Sequence, residues 1–330
     1  MSKSKQFVGI DVSKKTFDVA IIKFNSDLLE ENFSNSTKGI NQFLKWLNKN
    51  DVSSEECLIG LERTGIYSEL LTRNLQSKSF KTWVVMPYTL QRSMGLQRGK
   101  SDRIDAKRIA EYIRRYEDRA VLEQEENNHL VKIKKLLTLR NQLIKASSGF
   151  KKHLQELKLF DNESYKLVKK IMESSIDKIK KNLKKLENKI EKLYKEDEEI
   201  NKKMRLGLSV VGVGKITMLH ILTATNLFKN CLNAKQLACY SGVVPFEYSS
   251  GTSVNKKSRV HFMANKKIKS LLHLCAMSSI NHDPELKKYY ERKVEEGKPK
   301  MLVLNNVKNK LIHRIYSVIK RDQPYEKKVA

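Results

Sequence analysis

Hydrophobic positions along the chain change period twice. Near the start, QFVGIDVS (6–13), TFDVAIIKF (16–24) and LLEENF (28–33) are short runs rich in β-branched and aromatic residues, with polar pairs such as Lys14-Lys15 between the first two. They read as three strands. A helix around Thr37 to Asn48, the apolar strand CLIGLE (57–62), a helix from Ile66, the strand TWVVM (82–86) and a basic helical segment beyond Gly99 follow. Neighbouring strands followed by alternating helix and strand predict a mixed sheet with helices on its faces. The first domain is therefore α/β and spans residues 1–123, a usual domain size.

Beyond Glu123 the period becomes helical. Met172, Ile176, Ile179, Leu183, Leu186, Ile190, Leu193, Asp197, Ile200 and Met204 follow one another in alternating steps of four and three. This is a heptad seam with one polar break, Asp197, of the kind that fixes register. The seam has two readings: a coiled coil between chains, or an intramolecular hairpin against Leu130 to Leu157. In both, residues 124–205 form a helical stalk.

A third, mainly α part is expected over 206–330. It opens with LSVVGVGKITMLHIL (208–222), where a turn on Gly212 and Gly214 precedes a helix. That arrangement resembles a helix-hairpin-helix element, whose helix start at Lys215 can take a phosphate on its N–H groups. Glycine turns between apolar helices are common, so the signal alone is weak. YSGVVPFEYSSGTSVNKKSRV (240–260) reads as turns or short strands, and helices follow from about Lys266 to Lys320.

Charge narrows the class of partner. Among 330 residues, 65 Lys and Arg face 37 Asp and Glu, a formal net charge of +28. Such an excess favours a polyanion, because cations that neutralise phosphates release condensed counterions. A lysine-rich soluble protein would show the same excess, so the distinction lies in clustering. No apolar run approaches the roughly 18 residues of a spanning helix, and MSKSKQFVGIDVS has no apolar stretch of signal-peptide length. A cytoplasmic protein is expected. Cys57, Cys231, Cys239 and Cys275 lack CxxC spacing, and the seven His form no pair at zinc-site spacing. They read as reduced core thiols.

The clustering is found in GKSDRIDAKRIAEY (99–112), where Asp102 and Asp105 sit among Lys100, Arg103, Lys107 and Arg108. On a helix, residues three apart share a face. Taken alone, the pair reads as a helix start, with Asp102 as N-cap and Asp105 in the first turn. Two further acids shift the balance: Asp11 lies in an otherwise apolar strand, and Glu62 ends another. An unpaired carboxylate is costly to bury in such places. If the strands are neighbours, four carboxylates meet at one sheet edge and raise one another's pKa values unless a cation intervenes. Hard oxygen ligands suit Mg²⁺ or Mn²⁺, and a two-metal site clamps the attacking and leaving oxygens of a phosphodiester. Arg98, Lys100, Arg103, Lys107 and Arg108 would then hold the nucleic-acid backbone.

Asp11 in GIDVSKKTFDVAI, Glu62 in LERTGIY, and Asp102 and Asp105 in KSDRIDAKRIA resemble, in order and spacing, the RuvC-like DEDD domain of the insertion-sequence one-ten family of transposases. The resemblance continues through GVGKIT, LACYSGVVP and YSSGTSV, and so covers most of the chain. It implies a RuvC-like, ribonuclease-H-type fold, a coiled-coil connection and a C-terminal transposase domain. It also implies double-stranded donor and target DNA, a structured non-coding bridge RNA that pairs with both, and a homo-oligomer, dimeric and then tetrameric on synapsis. In that family the acids of one protomer are completed by the serine of another.

By the same match Ser250 becomes the candidate nucleophile, with Gly251 beside it and Lys256, Lys257 and Arg259 supplying charge for phosphate. Without the resemblance an ordinary Ser/Gly turn is the better reading, and Ser249 and Ser253 are also chemically competent. A serine nucleophile would conserve the phosphodiester's free energy in a seryl-DNA bond, so that rejoining needs no ATP. The function expected is thus metal-dependent cleavage and exchange of DNA strands through a covalent intermediate. The alternatives are a RuvC-like structure-specific endonuclease that uses water, and a nucleic-acid-binding protein without catalysis. HRIY (313–316) gathers Arg, His and Tyr within one helical turn, which reads as helix surface and not as a tyrosine-recombinase site.

Overall fold

The computed structural model describes residues 6–23, 27–62, 65–93, 101–125, 127–231, 233–250 and 254–326; for 247–250 and 254–257 it describes the backbone alone. The chain forms two compact units, Met1–Glu125 and Glu126–Ala330.

In the first unit the three leading runs become β1 (Gln6–Val12), β2 (Thr16–Ile22) and β3 (Leu28–Ser34), followed by α1 (Thr37–Lys49), β4 (Cys57–Glu62), α2 (Ile66–Ser77) and β5 (Lys81–Val85). Two helices complete it: α3 (Pro87–Ser93) and α4 (Asp102–Arg115). The sheet order is β3-β2-β1-β4-β5. β1 to β3 pair antiparallel, while β4 runs parallel to both β1 and β5. This mixed α/β sheet is consistent with the expected RuvC-like domain.

Alternation along the strands divides the core in two. Val8, Ile10, Phe17, Val19, Ile21, Ile59 and Leu61 face α1 and α2, meeting Ile40, Phe43, Leu47, Leu71 and Leu75. α1 begins where it does because the Ser36 side chain accepts a hydrogen bond from the Gly39 N–H. On the other face Phe7, Leu58, Trp83 and Val85 meet Ile109, Tyr112 and Ile113 of α4. That second face carries the acids.

The second unit opens with α5 (Asn128–Phe160) and α6 (Asn162–Glu196). Asp161 joins them: its N–H donates to the Leu157 carbonyl, and its side chain accepts from the Ser164 N–H. The two helices pack on each other within the chain. Leu186 and Ile190 of the seam share a buried cluster with Ile133 and Leu137 of α5, Ile176 and Leu154 are each buried as well, and Arg140 Nε donates to Glu187 Oε1 at 2.7 Å.

Asp197 does not hold a coiled-coil register position. It ends α6 and caps α7 (Glu198–Leu208), accepting from Ile200 N–H at 2.9 Å and from Asn127 Nδ2 at 2.6 Å. The base of the hairpin shares one core with the elements that follow: Leu137 and Tyr194 cluster with Met218, Leu222, Leu272 and Leu311.

Those elements are α8 (Lys215–Thr225), α9 (Ala234–Tyr240), a hairpin of β6 (Phe246–Ser250) and β7 (Val254–Arg259), α10 (Lys266–His282), α11 (Pro284–Glu295) and α12 (Lys300–Arg321). The HRIY segment lies on α12. Its Arg314 is largely buried, bonded to Asp283 at 2.6 Å and to Glu285 at 2.7 Å, which makes it part of the helix packing. Among the described residues, no helix is long and apolar enough to cross a membrane.

Candidate functional site

The acids gather through strand alternation and one close helix crossing. Asp11 follows Phe7 and Gly9 on the α4 face of β1, and Glu62 follows Leu58 and Gly60 on the same face of β4. The parallel register pairs Gly9 with Gly60 and Ile10 with Leu61, which carries both acids to one end of the sheet. α4 crosses β1 where a side chain would not fit, since a Cβ on Gly9 would stand 2.1 Å from the Ala106 carbonyl oxygen. Gly60 gives similar room, its Cβ position lying 2.6 Å from Ile113 Cγ2. With these two glycines the first turn of α4 comes down beside the strand ends.

That turn carries Asp102 and Asp105. The N-cap is not Asp102, as expected from sequence, but Ser101, whose side chain accepts from the Ile104 N–H at 3.3 Å. Asp102 is the first helical residue, so its carboxylate is not committed to capping.

The four acids are close enough to act on one another electrostatically. Burial, followed by the charges of Glu62, Asp102, Asp105 and Asp18, pushes the Asp11 carboxyl up from 3.8 to about 6. Arg108 Nη1 donates to Asp105 Oδ1 at 2.7 Å. Arg108 is thus turned in on an acid, while Arg103 and Lys107 on the same helix are exposed. Arg98 and Lys100 lie outside the described residues. Among the described residues, no group of three or more His, Cys, Asp or Glu side chains converges at metal-ligating spacing. The chemistry of the donor set nevertheless suits a hard divalent cation, since all four side chains are carboxylates. Along α4, a cleft of about 520 Å³ is lined by Ile22, Leu28, Lys107, Glu111, Arg114 and Arg115.

The serine motif lies in the other unit. Ser250 is the last residue of β6, paired with Val254 across the hairpin, while Ser249 pairs with Asn255. Gly251 and Ser253 lie outside the described residues. Lys256, Lys257 and Arg259 belong to β7, with Arg259 exposed. Lys215 is the first residue of α8 and ion-pairs with Glu191 at 3.2 Å. The helices α7 and α8 flank the glycine turn, with Gly212 at φ 87°.

Sequence reasoning missed Asp18. The antiparallel register sets it directly opposite Asp11, and it is buried. Its signal was present: in TFDVAII the alternation leaves one carboxylate on a covered face.

Comparison with known proteins finds two family models along the chain. A DEDD transposase model of IS110 elements matches residues 8–158, and the model described as "Transposase IS116/IS110/IS902 family" matches residues 204–291. The chain is 28% identical over 334 residues to a pilin gene-inverting protein of Moraxella bovis, covering 99% of each. A pilin gene-inverting protein of Moraxella lacunata is 27% identical, again with 99% of each chain covered. An uncharacterized 43.6 kDa protein of insertion element IS110 from Streptomyces coelicolor is 27% identical over 121 residues, 37% of this chain and 30% of that one. Both units are matched, and the chain belongs to the IS110 family of transposases.

Proposed function

We propose that this transposase recombines DNA with a divalent cation, Mg²⁺ or Mn²⁺, held among Asp11, Glu62, Asp102 and Asp105, and with Ser250 as the covalent nucleophile. A structured non-coding RNA pairs with donor and target DNA, and the protein works as a homo-oligomer, a dimer that becomes a tetramer on synapsis. The observation that supports the reading is the parallel register that carries Asp11 and Glu62 to one end of the sheet, where the first turn of α4 brings Asp102 and Asp105 near enough for their charges, after burial, to help raise the Asp11 acid to about 6.

A bound divalent cation supplies charge for the phosphodiester under attack and lowers the pKa of the attacking hydroxyl. The carboxylates' part is to hold and orient that charge. Ser250 Oγ forms a bond to phosphorus as the bridging P–O bond to the leaving nucleoside breaks; the hydroxyl gives up its proton, and the leaving oxygen takes one. The seryl ester keeps the free energy of the original bond, so the reverse attack rejoins DNA without ATP. The role of Ser250, the RNA and the oligomer rest on the family resemblance. The cationic balance of +28 supports phosphate partners generally.

Two relatives that match over nearly the full chain are named for pilin gene inversion. They favour a second reading: the same chemistry joining two sites in one DNA molecule, so that the segment between them inverts.

The test is strand cleavage by protein purified with its co-bound RNA, on donor and target DNA, with and without Mg²⁺. Cleavage is expected to require the ion and to vanish in Asp102→Asn/Asp105→Asn, while RNA binding persists. Full cleavage by the double variant would overturn the acidic site. Cleavage by the wild type without any trapped protein-DNA adduct would replace the serine chemistry with that of a water-using endonuclease.

A further inference from the structure

Asp18 is a buried carboxylate that the four-acid site does not use. On β2 it shares the α4 face with Ala20 and Ile22, while its neighbours Phe17 and Val19 enter the opposite core. The β1–β2 ladder places it directly across from Asp11. Opposed residues on antiparallel strands project from the same face with Cβ atoms about 4.5–5.5 Å apart. Its relative exposure is 7%, and among the described residues no cation or hydrogen-bond donor pairs with it. Its charge also acts on Asp11.

A fold gains nothing from this arrangement. Like charges directly opposite one another destabilise a ladder, and a buried carboxylate without a partner costs more than an amide or hydroxyl in its place. A structural role would be met by Asn, Ser or Thr. Below about pH 6 a proton on Asp11 relieves the repulsion; at neutral pH, with Asp11 ionised, a positive charge in the space that both carboxylates face would relieve it. Asp11, Asp18 and Glu62 arrive there from three adjacent strands, and α4 adds Asp102 and Asp105.

We propose that Asp18 is a fifth acidic residue of the site, facing the same divalent cation as Asp11 and strengthening its binding. The inference rests on the cation-site reading given above. Asp18 acts by holding and orienting the cation side of the site, and it takes no part in bond formation.

The experiment is Mn²⁺ titration of the full-length protein by calorimetry, with electron paramagnetic resonance of free Mn²⁺ as a second readout. Wild type is compared with Asp18→Asn, Asp18→Ser, Asp11→Asn and, as a control for lost surface charge, Glu55→Gln. Affinity should fall roughly 10- to 100-fold in both Asp18 variants, the range for groups that support a metal's ligands. It should be unchanged in Glu55→Gln. In metal-free buffer both Asp18 variants should melt at or above the wild-type temperature, since a repelling buried charge has been removed.

Wild-type affinity in Asp18→Asn, with binding lost in Asp11→Asn, would overturn this inference alone. Failure of the wild type to bind Mn²⁺ would overturn the cation-site reading and this inference with it. Unfolding of both Asp18 variants without metal would also overturn the inference, because it would show that the carboxylate stabilises the empty fold.

Discussion

The Ala106 carbonyl passes directly over Gly9: a Cβ there would stand 2.1 Å from its oxygen and 2.3 Å from the Ala110 nitrogen. Both obstacles are helix backbone, which cannot turn aside as a side chain can. The seat of α4, and with it the position of Asp102 and Asp105 beside Asp11, depends on this missing side chain. Gly9→Ala should therefore force α4 away from β1. Overpacking of this kind costs roughly 1–3 kcal/mol, occasionally more. Chemical denaturation should show that loss in the first unit, accompanied by weaker Mn²⁺ binding. Wild-type stability in Gly9→Ala would refute the close crossing.

The raised Asp11 acid has a signature in pH. Its folded value of about 6 lies above its ordinary 3.8, so between these values the folded chain keeps a proton that the unfolded chain has released. Stability then falls as pH rises through that window. Metal-free wild type should gain melting temperature between pH 7 and pH 5 relative to Asp11→Asn, which lacks the titrating group. Mn²⁺ binding has the opposite dependence, since it needs the ionised form, and should weaken below about pH 6. A difference between wild type and variant that stays constant across this range would contradict the raised acid.

Much of the first unit was legible because its strands alternate and its glycines and polar pairs punctuate them. Asp11 and Glu62 stood out as acids in apolar strands, and Asp102 and Asp105 as acids among cations. The cap was harder to assign. Ser101 and Asp102 are both good N-caps, and only backbone geometry separates them: Ser101 is extended at φ −153°, ψ 152°. Asp18 escaped notice because its partner is set by strand register, which a single strand does not display. Seam periodicity located α6 but left its partner open, since a heptad stripe fits a helix from the same chain or from another. The pairing of the Ser250 segment with β7 was equally hidden, because turn-rich sequence carries little periodicity.

The hairpin gives a further expectation. Leu186 is buried at 7% exposure between α5 and α6, whereas Leu167 and Ile171 near the far end of α6 are 73% and 70% exposed. Leu186→Asp should place an unpaired charge in the packed seam and destabilise the second unit by several kcal/mol, roughly 3 or more. Leu167→Lys with Ile171→Lys should leave stability within about 0.5 kcal/mol. Denaturation curves and light scattering should be read together. Loss of oligomeric mass in Leu186→Asp without loss of stability would instead assign the seam to contacts between chains.

The proposed serine chemistry makes the sharpest demand on one side chain. Ser250 ends β6 next to the hairpin tip, and β7 brings back Lys256, Lys257 and Arg259. Ser250→Ala should eliminate recombination and any protein-DNA adduct trapped on a nicked or suicide substrate, because the attacking oxygen is gone. DNA capture should remain within a few-fold of wild type, since no cation is removed, and should keep its steep fall with rising salt. Ser249→Ala is the neighbouring control, one step back along the ladder and paired with Asn255 instead of Val254. It should retain the adduct. If Ser249→Ala loses the adduct and Ser250→Ala keeps it, the nucleophile moves to Ser249. If both variants keep it, the attacking oxygen lies elsewhere, with the chemically competent Ser253 the next to replace. Wild-type cleavage with no adduct under any trapping condition would make water the attacker and leave the acidic site as the whole of the catalytic apparatus.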